Sequence, residues 1–149
     1  LSSDPLEDVT LAEEVELQRL YLDIESVRYP KRLRVKIDIP DALMGQHVPA
    51  LILQPLVENA IKYGVSRTTR PVELTISAKA ERDVLTLSVQ DDGEAVDPDH
   101  VGGSGIGLNK VRDRLEARYK SAARLDAQAI SGGGFVAKLT LPLSRRLRP

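Results

Sequence analysis

Three short segments, in their order along the chain, restrict the possible folds more than any other feature. The first is Leu53-Gln-Pro-Leu-Val-Glu-Asn-Ala-Ile-Lys-Tyr-Gly64, the second is Asp91-Asp-Gly93, and the third is Gly103-Ser-Gly-Ile-Gly-Leu108. They supply a helix with a polar face, an acidic turn and a glycine-rich turn that leads into a helix. A fold that brings these three pieces together has the groups that a nucleotide site needs.

Length and composition limit the class of protein. The 149 residues, of which 42% are hydrophobic, are enough for one compact domain with a buried core. The chain has no cysteine, which excludes disulfides and thiolate metal sites. No apolar run approaches the roughly 20 residues that cross a bilayer. We therefore expect a cytoplasmic domain, or the cytoplasmic part of a membrane sensor. A net charge of −1 and an aromatic content of 3% disfavour nucleic acid as a partner.

A first helix is predicted from residue 11 to about residue 28. Thr10 and Glu13 have the spacing of a capping box, and Pro30 stops the helix. Its apolar residues form two rows, which are Leu11, Val15 and Leu22, and Leu17, Leu20, Tyr21, Ile24 and Val27. Two rows are more than one buried stripe needs, so we expect this helix to pack against its own domain and against a partner.

The rest of the chain alternates between strand and helix signals. Apolar alternation and turn residues predict five strands, over residues 32–39, 72–80, 84–90, 124–131 and 135–143. Helical spacing predicts a helix from residue 50 to about 63, with Gly64 as its C-terminal stop, and another from Leu108 to Tyr119. The economical arrangement is an α+β two-layer sandwich, with a mixed sheet of about five strands and helices on one face.

The polar rim of the first segment offers candidate ligands. Asn59, Lys62 and Tyr63 lie three and four residues apart and share one side of the helix. An amide oxygen is a hard ligand that Mg²⁺ accepts together with water and phosphate oxygens. Lys62 would meet phosphate as a point charge. Taken alone, the segment could also be an ordinary amphipathic helix.

The other two segments offer recognition of a base and of an anion. Asp91 follows an apolar strand, where its carboxylate can accept a hydrogen bond from an exocyclic amine such as that of adenine, and Gly93 leaves room for a flat ring. The glycine-rich turn can cradle an anion with its N–H groups. A simple strand-ending turn and a lid without a ligand are the alternatives. A dinucleotide fingerprint does not fit, because no βαβ unit surrounds the glycines.

Together, the three segments resemble the N, G1 and G2 boxes of histidine-kinase ATP-binding domains, in the superfamily of DNA gyrase, heat-shock chaperone and mismatch-repair ATPases. Residues 53–62 and 105–108, with Arg114-Leu115 after them, resemble LytS-type sensor kinases. The resemblance implies the Bergerat fold, with ATP and Mg²⁺ as ligands. The ATP-binding residues that it implies are Asn59, Lys62, Tyr63, Asp91, Gly93, Gly103, Ser104, Gly105, Ile106, Gly107 and Leu108, with Asn59 as the metal ligand.

The resemblance also implies an activity and partners. The domain would position ATP so that its γ-phosphoryl passes to a histidine on an upstream helical domain, with a response regulator as the eventual acceptor. Residues 1–30 would be the end of the helical dimerisation and phosphoacceptor region, and residues 31–149 the ATP-binding catalytic domain. The full-length protein would be a homodimer, and membrane attachment would suit it. Neither His47 nor His100 matches the phosphoacceptor motif, so this chain alone should not phosphorylate itself.

Several positions depart from the family pattern. Ala95 replaces the second glycine of the G1 box, Asp92 and Lys110 stand where asparagine is common, and Phe135 stands where threonine often follows. Pro55 occupies the position of the water-activating glutamate of hydrolytic relatives, which leaves only Glu58 as a minor candidate base and makes strong hydrolysis unexpected. A catalytically weak nucleotide-sensing or interaction module of the same fold is therefore the alternative function, and an anti-sigma-like serine kinase is a third.

Overall fold

A computed structural model of the protein describes residues 7–94 and 106–145, with only the backbone at Ile106. In chain order, the elements are β1 (Asp8–Thr10), α1 (Leu11–Arg28), β2 (Leu33–Asp38), β3 (His47–Pro49), α2 (Gln54–Asn59), β4 (Val72–Glu81), β5 (Val84–Asp91), α3 (Ile106–Tyr119), β6 (Arg124–Ala129) and β7 (Phe135–Pro142). Short 3₁₀ turns cover Asp41–Leu43 and Lys120–Ala122, and a π-helical turn covers Ala60–Val65.

Five of the strands form one mixed sheet in the order β2-β4-β5-β7-β6. Strand β2 is parallel to β4, and the other neighbouring pairs are antiparallel. The predicted strands and both predicted hairpins are confirmed to within a few residues. The sequence did not predict the short antiparallel pair of β1 with β3, because three residues are too few to show a periodic pattern.

The sheet buries one of its faces. Side chains such as Leu74, Leu87 and Leu139 are fully buried on that face, where they join a core that the helices cover. The opposite face carries a cross-strand row that includes Ser88 and the exposed Lys138. This alternation is what a two-layer arrangement requires, and the predicted α+β sandwich with helices on one face is confirmed.

Helix α1 begins and ends where the sequence predicted. The N–H of Glu13 donates to Thr10 Oγ1 (3.1 Å), and the N–H of Thr10 donates to Glu13 Oε1 (3.3 Å), which completes the capping box. Its inner row, Leu11, Val15 and Leu22, belongs to the same core as the sheet. The assignment of residues 1–30 to a dimerisation region, separate from a catalytic domain over 31–149, stays a prediction.

The second predicted helix differs from its prediction at both ends. Residues 51–53 form a turn, in which Leu51 has a φ of 63°, and α2 begins only at Gln54 with Pro55 in its first turn. The helix then widens into the π-helical turn and continues through Gly64. The prediction that Gly64 stops the helix is therefore wrong, because the helical backbone continues to Val65. No helix in the described ranges is long and apolar enough to span a membrane.

Candidate functional site

A buried carboxylate lies at the centre of the site. Asp91 is the last residue of β5 and is 2% exposed. Its Oδ1 accepts a hydrogen bond from the N–H of Gly93 (3.0 Å). Burial raises the pKa of Asp91 to about 6, against the lowering effect of the Gly93 bond, and the charge of Asp92 raises it further. The fold thus holds a carboxylate where desolvation disfavours its charge, as is common at binding and catalytic sites.

Gly64 makes room for this carboxylate. A Cβ at Gly64 would lie 2.5 Å from Asp91 Cγ and 2.6 Å from Oδ1, far inside normal contact distance. Only glycine therefore allows the π-helical turn and the end of β5 to approach so closely. Asn59, the last residue of α2, comes directly before this turn and is 8% exposed. The structure thus brings Gly64, at the end of the first sequence segment, against Asp91 of the second.

A second glycine completes the floor of the site. A Cβ at Gly93 would lie 2.9 Å from the carbonyl oxygen of Gly64 and 3.0 Å from Thr68 Oγ1. Thr68 is 1% exposed, and its hydroxyl accepts the N–H of Glu94 (3.0 Å). Arg32 donates from one amino group to the carbonyl oxygens of Val65 and Thr68, both at 2.9 Å. Sequence reasoning missed both residues as part of the site: Thr68 belongs to no periodic pattern or motif, and Arg32 was seen only as the first residue of the alternating strand pattern over 32–39.

The triglycine turn before β7 supports Asp91 from another side. Gly134 has a φ of 101°, and a Cβ there would lie 2.2 Å from the carbonyl oxygen of Asp91. Strand β7 begins opposite Asp91, which pairs with Phe135. The turn was predicted as a hairpin connection, and its further role is to pack against the backbone of the acidic turn.

The remaining residues of the first segment differ in exposure. Tyr63 is 7% exposed, whereas Lys62 is exposed. Lys62 Nζ lies 5.3 Å from the centre of the Tyr63 ring, and the guanidinium carbon of Arg67 lies 4.7 Å from it. Two cations therefore contact the same aromatic ring, beside the Gly64 turn.

Glu58 interacts with the start of α2 and with α1. Its Oε1 accepts a hydrogen bond from Gln54 Nε2 (3.0 Å). On α1, burial raises the pKa of Tyr21 to about 12, and the negative charges of Glu25 and Glu58 add to the increase. Glu58 is thus close enough to α1 for its charge to act on Tyr21.

The glycine-rich segment is described only at its helical end. Gly107 lies in the first turn of α3, where an added Cβ would be 4.0 Å from Pro55 Cβ, and Leu108 is buried. This contact brings the start of α3 beside the first turn of α2. Gly103, Ser104 and Gly105, the side chain of Ile106 and the departure at Ala95 lie outside the described residues. Within the described part of the chain, no group of three or more His, Cys, Asp or Glu could hold a metal ion.

Comparison with known families agrees with this arrangement. Residues 46–145 match the family described as histidine kinase-, DNA gyrase B- and HSP90-like ATPases. The chain belongs to this ATPase family. The matched range contains all three sequence segments and the whole of the five-stranded sheet except β2.

Individual relatives narrow the resemblance within the family. The sensor histidine kinase BtsS of Escherichia coli is 44% identical over 115 residues, which are 77% of this chain and 20% of BtsS. The sensor protein LytS of Staphylococcus epidermidis is 28% identical over 142 residues, which are 88% of this chain and 24% of LytS. The resemblance to LytS-type sensor kinases is thus confirmed, and the chain spans only about a fifth to a quarter of these relatives.

A solved structure supports the fold. The Acinetobacter baumannii histidine kinase AdeS superimposes with a TM-score of 0.68 over 94% of this chain and 69% of the AdeS chain, at 15% sequence identity. At this identity, the similarity shows a shared fold and does not extend to individual residues.

Proposed function

We propose that this chain is the catalytic ATP-binding domain of a sensor histidine kinase, which holds Mg·ATP so that the γ-phosphoryl can pass to a histidine on an upstream helical domain. The observation that carries the proposal is the buried Asp91 carboxylate, held against Gly64 with Gly93 beside it. ATP binding follows from the family, whereas Mg²⁺, the site residues, the transfer step and the partners are the proposed part.

At the base-binding end, Asp91 would accept a hydrogen bond from the exocyclic amine of adenine. One of its oxygens already accepts the Gly93 N–H, so the carboxylate is oriented before the ligand arrives. The two glycines lack side chains that would overlap this carboxylate, so the π-helical turn and the acidic turn can both approach it closely. The buried carboxylate would select for an amine over a carbonyl on the base.

At the phosphate end, Asn59 and Lys62 have the required chemistry. The amide oxygen of Asn59 would be the one protein ligand of Mg²⁺, with phosphate and water oxygens completing the shell. This suits residues 7–94 and 106–145, in which no group of three or more carboxylates or histidines could hold a metal ion. The exposed Lys62 ammonium would neutralise phosphate charge, with the Tyr63 ring beside it. Gly103, Ser104, Gly105, Ile106, Gly107 and Leu108 would enclose the triphosphate.

Phosphoryl transfer by such a domain needs positioning and charge neutralisation more than a protein base. Pro55 stands in the first turn of α2, and Glu58 is hydrogen-bonded to Gln54. Proline has no basic side chain, and one oxygen of Glu58 already accepts from Gln54, so we propose transfer to histidine and little hydrolysis. The partners would be the phosphoacceptor helical domain and a response regulator, within a cytoplasmic or membrane-attached homodimer.

Isothermal calorimetry tests the nucleotide site. We expect micromolar to sub-millimolar Mg·ATP binding by the wild-type chain, lost in Asp91→Asn, because an amide would present a donor where the proposal needs an acceptor. Asp38→Asn is the matched control, since Asp38 also ends a strand but is exposed, and it should bind normally. Normal binding by Asp91→Asn would contradict the adenine role.

The role of Asn59 as a metal ligand is tested by measuring ATP affinity in two solutions, one with Mg²⁺ and one with EDTA. Asn59→Ala should weaken binding of Mg·ATP but leave binding of ATP in EDTA unchanged, because only the former uses the amide. An equal loss in both solutions would refute a metal role for Asn59. Phosphorylation of a supplied histidine domain then separates a kinase from a nucleotide-sensing module, which would bind ATP without transfer.

A further inference from the structure

One arginine connects the floor of the candidate site with the end of α1. Arg32 lies directly before β2 and is partly buried. Its Nη2 donates to the carbonyl oxygens of Val65 and Thr68, both at 2.9 Å. Its guanidinium carbon lies 5.2 Å from the centre of the ring of Tyr29, the first residue after α1. A single side chain therefore contacts two segments that lie far apart in the sequence.

A tight turn sets the position of Arg32 relative to α1. The N–H of Arg32 donates to the carbonyl oxygen of Tyr29 (3.1 Å), which closes a four-residue turn over residues 29–32. Pro30 is the second residue of this turn, and Lys31, the third, has a φ of 62°. Proline at the second position with a positive φ at the third is typical of a type II turn, in which glycine is usual at the third. Lysine adopts this φ only where the surrounding structure holds it, so the turn fixes where the Arg32 side chain begins.

The carbonyl groups that Arg32 holds belong to the segment that shapes the floor. Thr68 Oγ1 accepts the N–H of Glu94 (3.0 Å) and would lie 3.0 Å from a Cβ at Gly93. The N–H of Gly93 in turn donates to Asp91 Oδ1 (3.0 Å). The position of Thr68 therefore limits how the turn after Asp91 lies, and through Gly93 it reaches the buried carboxylate.

The charge of Arg32 is directed at main-chain oxygens. Within residues 7–94 and 106–145, Arg32 forms no ion pair with a carboxylate. A partly buried guanidinium is ordinarily paired with an acid, because desolvation disfavours an unpaired charge. Here two carbonyl oxygens and an aromatic ring take the place of the acid, and hydrogen bonds from a charged donor are stronger than those between neutral groups. The contact thus fixes the location of residues 65–68.

We propose that Arg32 is a positioning residue of the nucleotide site. It holds the 65–68 segment, and through Thr68 the turn around Asp91, in place relative to the end of α1. Arg32 acts through these residues and does not touch the nucleotide. The proposal rests on the proposed nucleotide site for its functional consequence, and it adds a residue that lies outside the three sequence segments.

Amide hydrogen exchange tests the positioning without any nucleotide. Arg32→Ala should speed exchange at Gly93 and Glu94 by about tenfold or more, because the segment that supports their N–H groups loses its anchoring hydrogen bonds. Exchange at Leu87, in the middle of β5, should remain as in the wild type. Arg34→Ala is the matched control, since Arg34 is an exposed arginine on β2, and it should leave all three sites unchanged.

Two exchange results would overturn the proposal. Unchanged exchange at Gly93 and Glu94 in Arg32→Ala would show that the contact does not position the turn. Equal acceleration at Leu87 would show a general loss of stability instead of a local role.

Calorimetry tests the consequence for the nucleotide. Arg32→Ala should weaken binding of Mg·ATP and Mg·ADP by the same factor, about tenfold, because the floor lies at the base-binding end. Arg34→Ala should bind like the wild type. The measurements are made well below the unfolding temperature of each variant, where a purely structural role would leave the affinity unchanged. If the wild type binds no nucleotide, the proposed function fails and the exchange result still decides the positioning. If the wild type binds and Arg32→Ala binds equally tightly, the role of Arg32 at the site is refuted.

Two further variants separate the hydrogen bonds of Arg32 from its contact with α1. Arg32→Lys keeps a cation that can donate to the carbonyl oxygens, so it should recover part of the affinity lost in Arg32→Ala. Tyr29→Leu removes the ring beside the guanidinium and should weaken binding less than Arg32→Ala does. Because both changes act on one contact, the double variant of Tyr29→Leu with Arg32→Ala should lose no more than Arg32→Ala by itself. Full additivity of the two losses would refute the link to the end of α1, and no recovery in Arg32→Lys would refute the role of the hydrogen bonds.

Discussion

At the scale of single residues, Asp91 combines burial with a charge that the proposed function needs. Its pKa of about 6 is above the ordinary value of 3.8, and burial is the main cause. The carboxyl is therefore largely ionised at pH 7 and largely protonated at pH 5. Only the ionised form offers both oxygens as acceptors, so binding and protonation compete.

We expect the affinity for Mg·ATP to fall by up to about tenfold for each pH unit below 6, which corresponds to protonation of one group. The fold itself should not weaken through Asp91 over this range. A folded-state pKa above the unfolded value means that this carboxyl costs stability above pH 6, and the cost decreases as the pH falls towards 4. Calorimetry and thermal unfolding between pH 5 and 8 separate the two effects, and unchanged affinity at pH 5 would contradict this role.

Gly64 allows a second prediction at this scale. Gly64→Ala should destabilise the fold by about 1–3 kcal/mol, since its Cβ would overlap the Asp91 carboxylate, and should abolish nucleotide binding. Gly45→Ala is the control, because a Cβ at Gly45 meets nothing within 4 Å, and a change below about 1 kcal/mol is expected there. Urea unfolding measures both, and equal effects would show that the contact at Gly64 is unimportant.

At the scale of elements, one buried carboxylate joins α1 to the segment before α2. Glu14 is 1% exposed, and its two oxygens accept the N–H groups of Leu51 and Leu53, each at 2.9 Å. Burial raises the pKa of Glu14, whereas these hydrogen bonds and the charge of Arg114 lower it. The bonds also hold the left-handed backbone of Leu51, an uncommon conformation for a residue other than glycine.

Removal of the Glu14 carboxylate should weaken the attachment of α1 to the segment before α2. We expect Glu14→Ala to cost about 2–4 kcal/mol in the free energy of unfolding, because two buried N–H groups lose their acceptor. Glu16→Ala, two residues along on the exposed side, should change it by less than about 0.5 kcal/mol. Urea unfolding of the two variants provides the comparison, and similar midpoints would contradict a linking role for Glu14.

At the scale of the whole molecule, the first and last described segments of the chain are both bonded to the rest of the fold. Arg118 of α3 forms a two-pronged ion pair with Asp8 of β1, in which Nη1 lies 2.8 Å from Oδ1. After β7, the backbone N–H of Ser144 donates to the buried Gln46 Oε1 (2.8 Å), and Gln46 Nε2 donates to the carbonyl oxygen of Arg145 (3.0 Å). The elements β1 and α1 are therefore packed as part of the same unit as the five-stranded sheet.

These contacts predict the result of removing residues 1–30. The remaining chain, 31–149, would expose the apolar surface that Leu11, Val15 and Leu22 cover and would lose Glu14. We expect a loss of cooperative thermal unfolding and of Mg·ATP binding. If residues 31–149 unfold cooperatively at the wild-type temperature and bind Mg·ATP, a boundary at residue 30 separates two folding units, and α1 is dispensable for the site.

The sequence predicted the elements with the clearest signals. The capping box of Thr10 and Glu13, the alternation along β4 and β5, and the glycines before β7 each depend on neighbours within a few residues. Local patterns of this kind can be recognised from the sequence alone. The prediction failed at Gly64, which looked like a helix stop because glycine commonly ends helices. The contact that requires a glycine there comes from Asp91, 27 residues further along the chain.

The sequence by itself therefore determined the order of the helices and of the five strands of the main sheet, the ATPase family and the residues with suitable chemistry, because composition, spacing and motif are local properties. Only the tertiary structure decided that Asp91 is buried against Gly64, that Thr68 and Arg32 build the floor beside it, and that one row of α1 is covered while the other is exposed. Burial and close approach depend on which distant segments meet. That choice is made by packing over the whole core and is not encoded in any single stretch of residues.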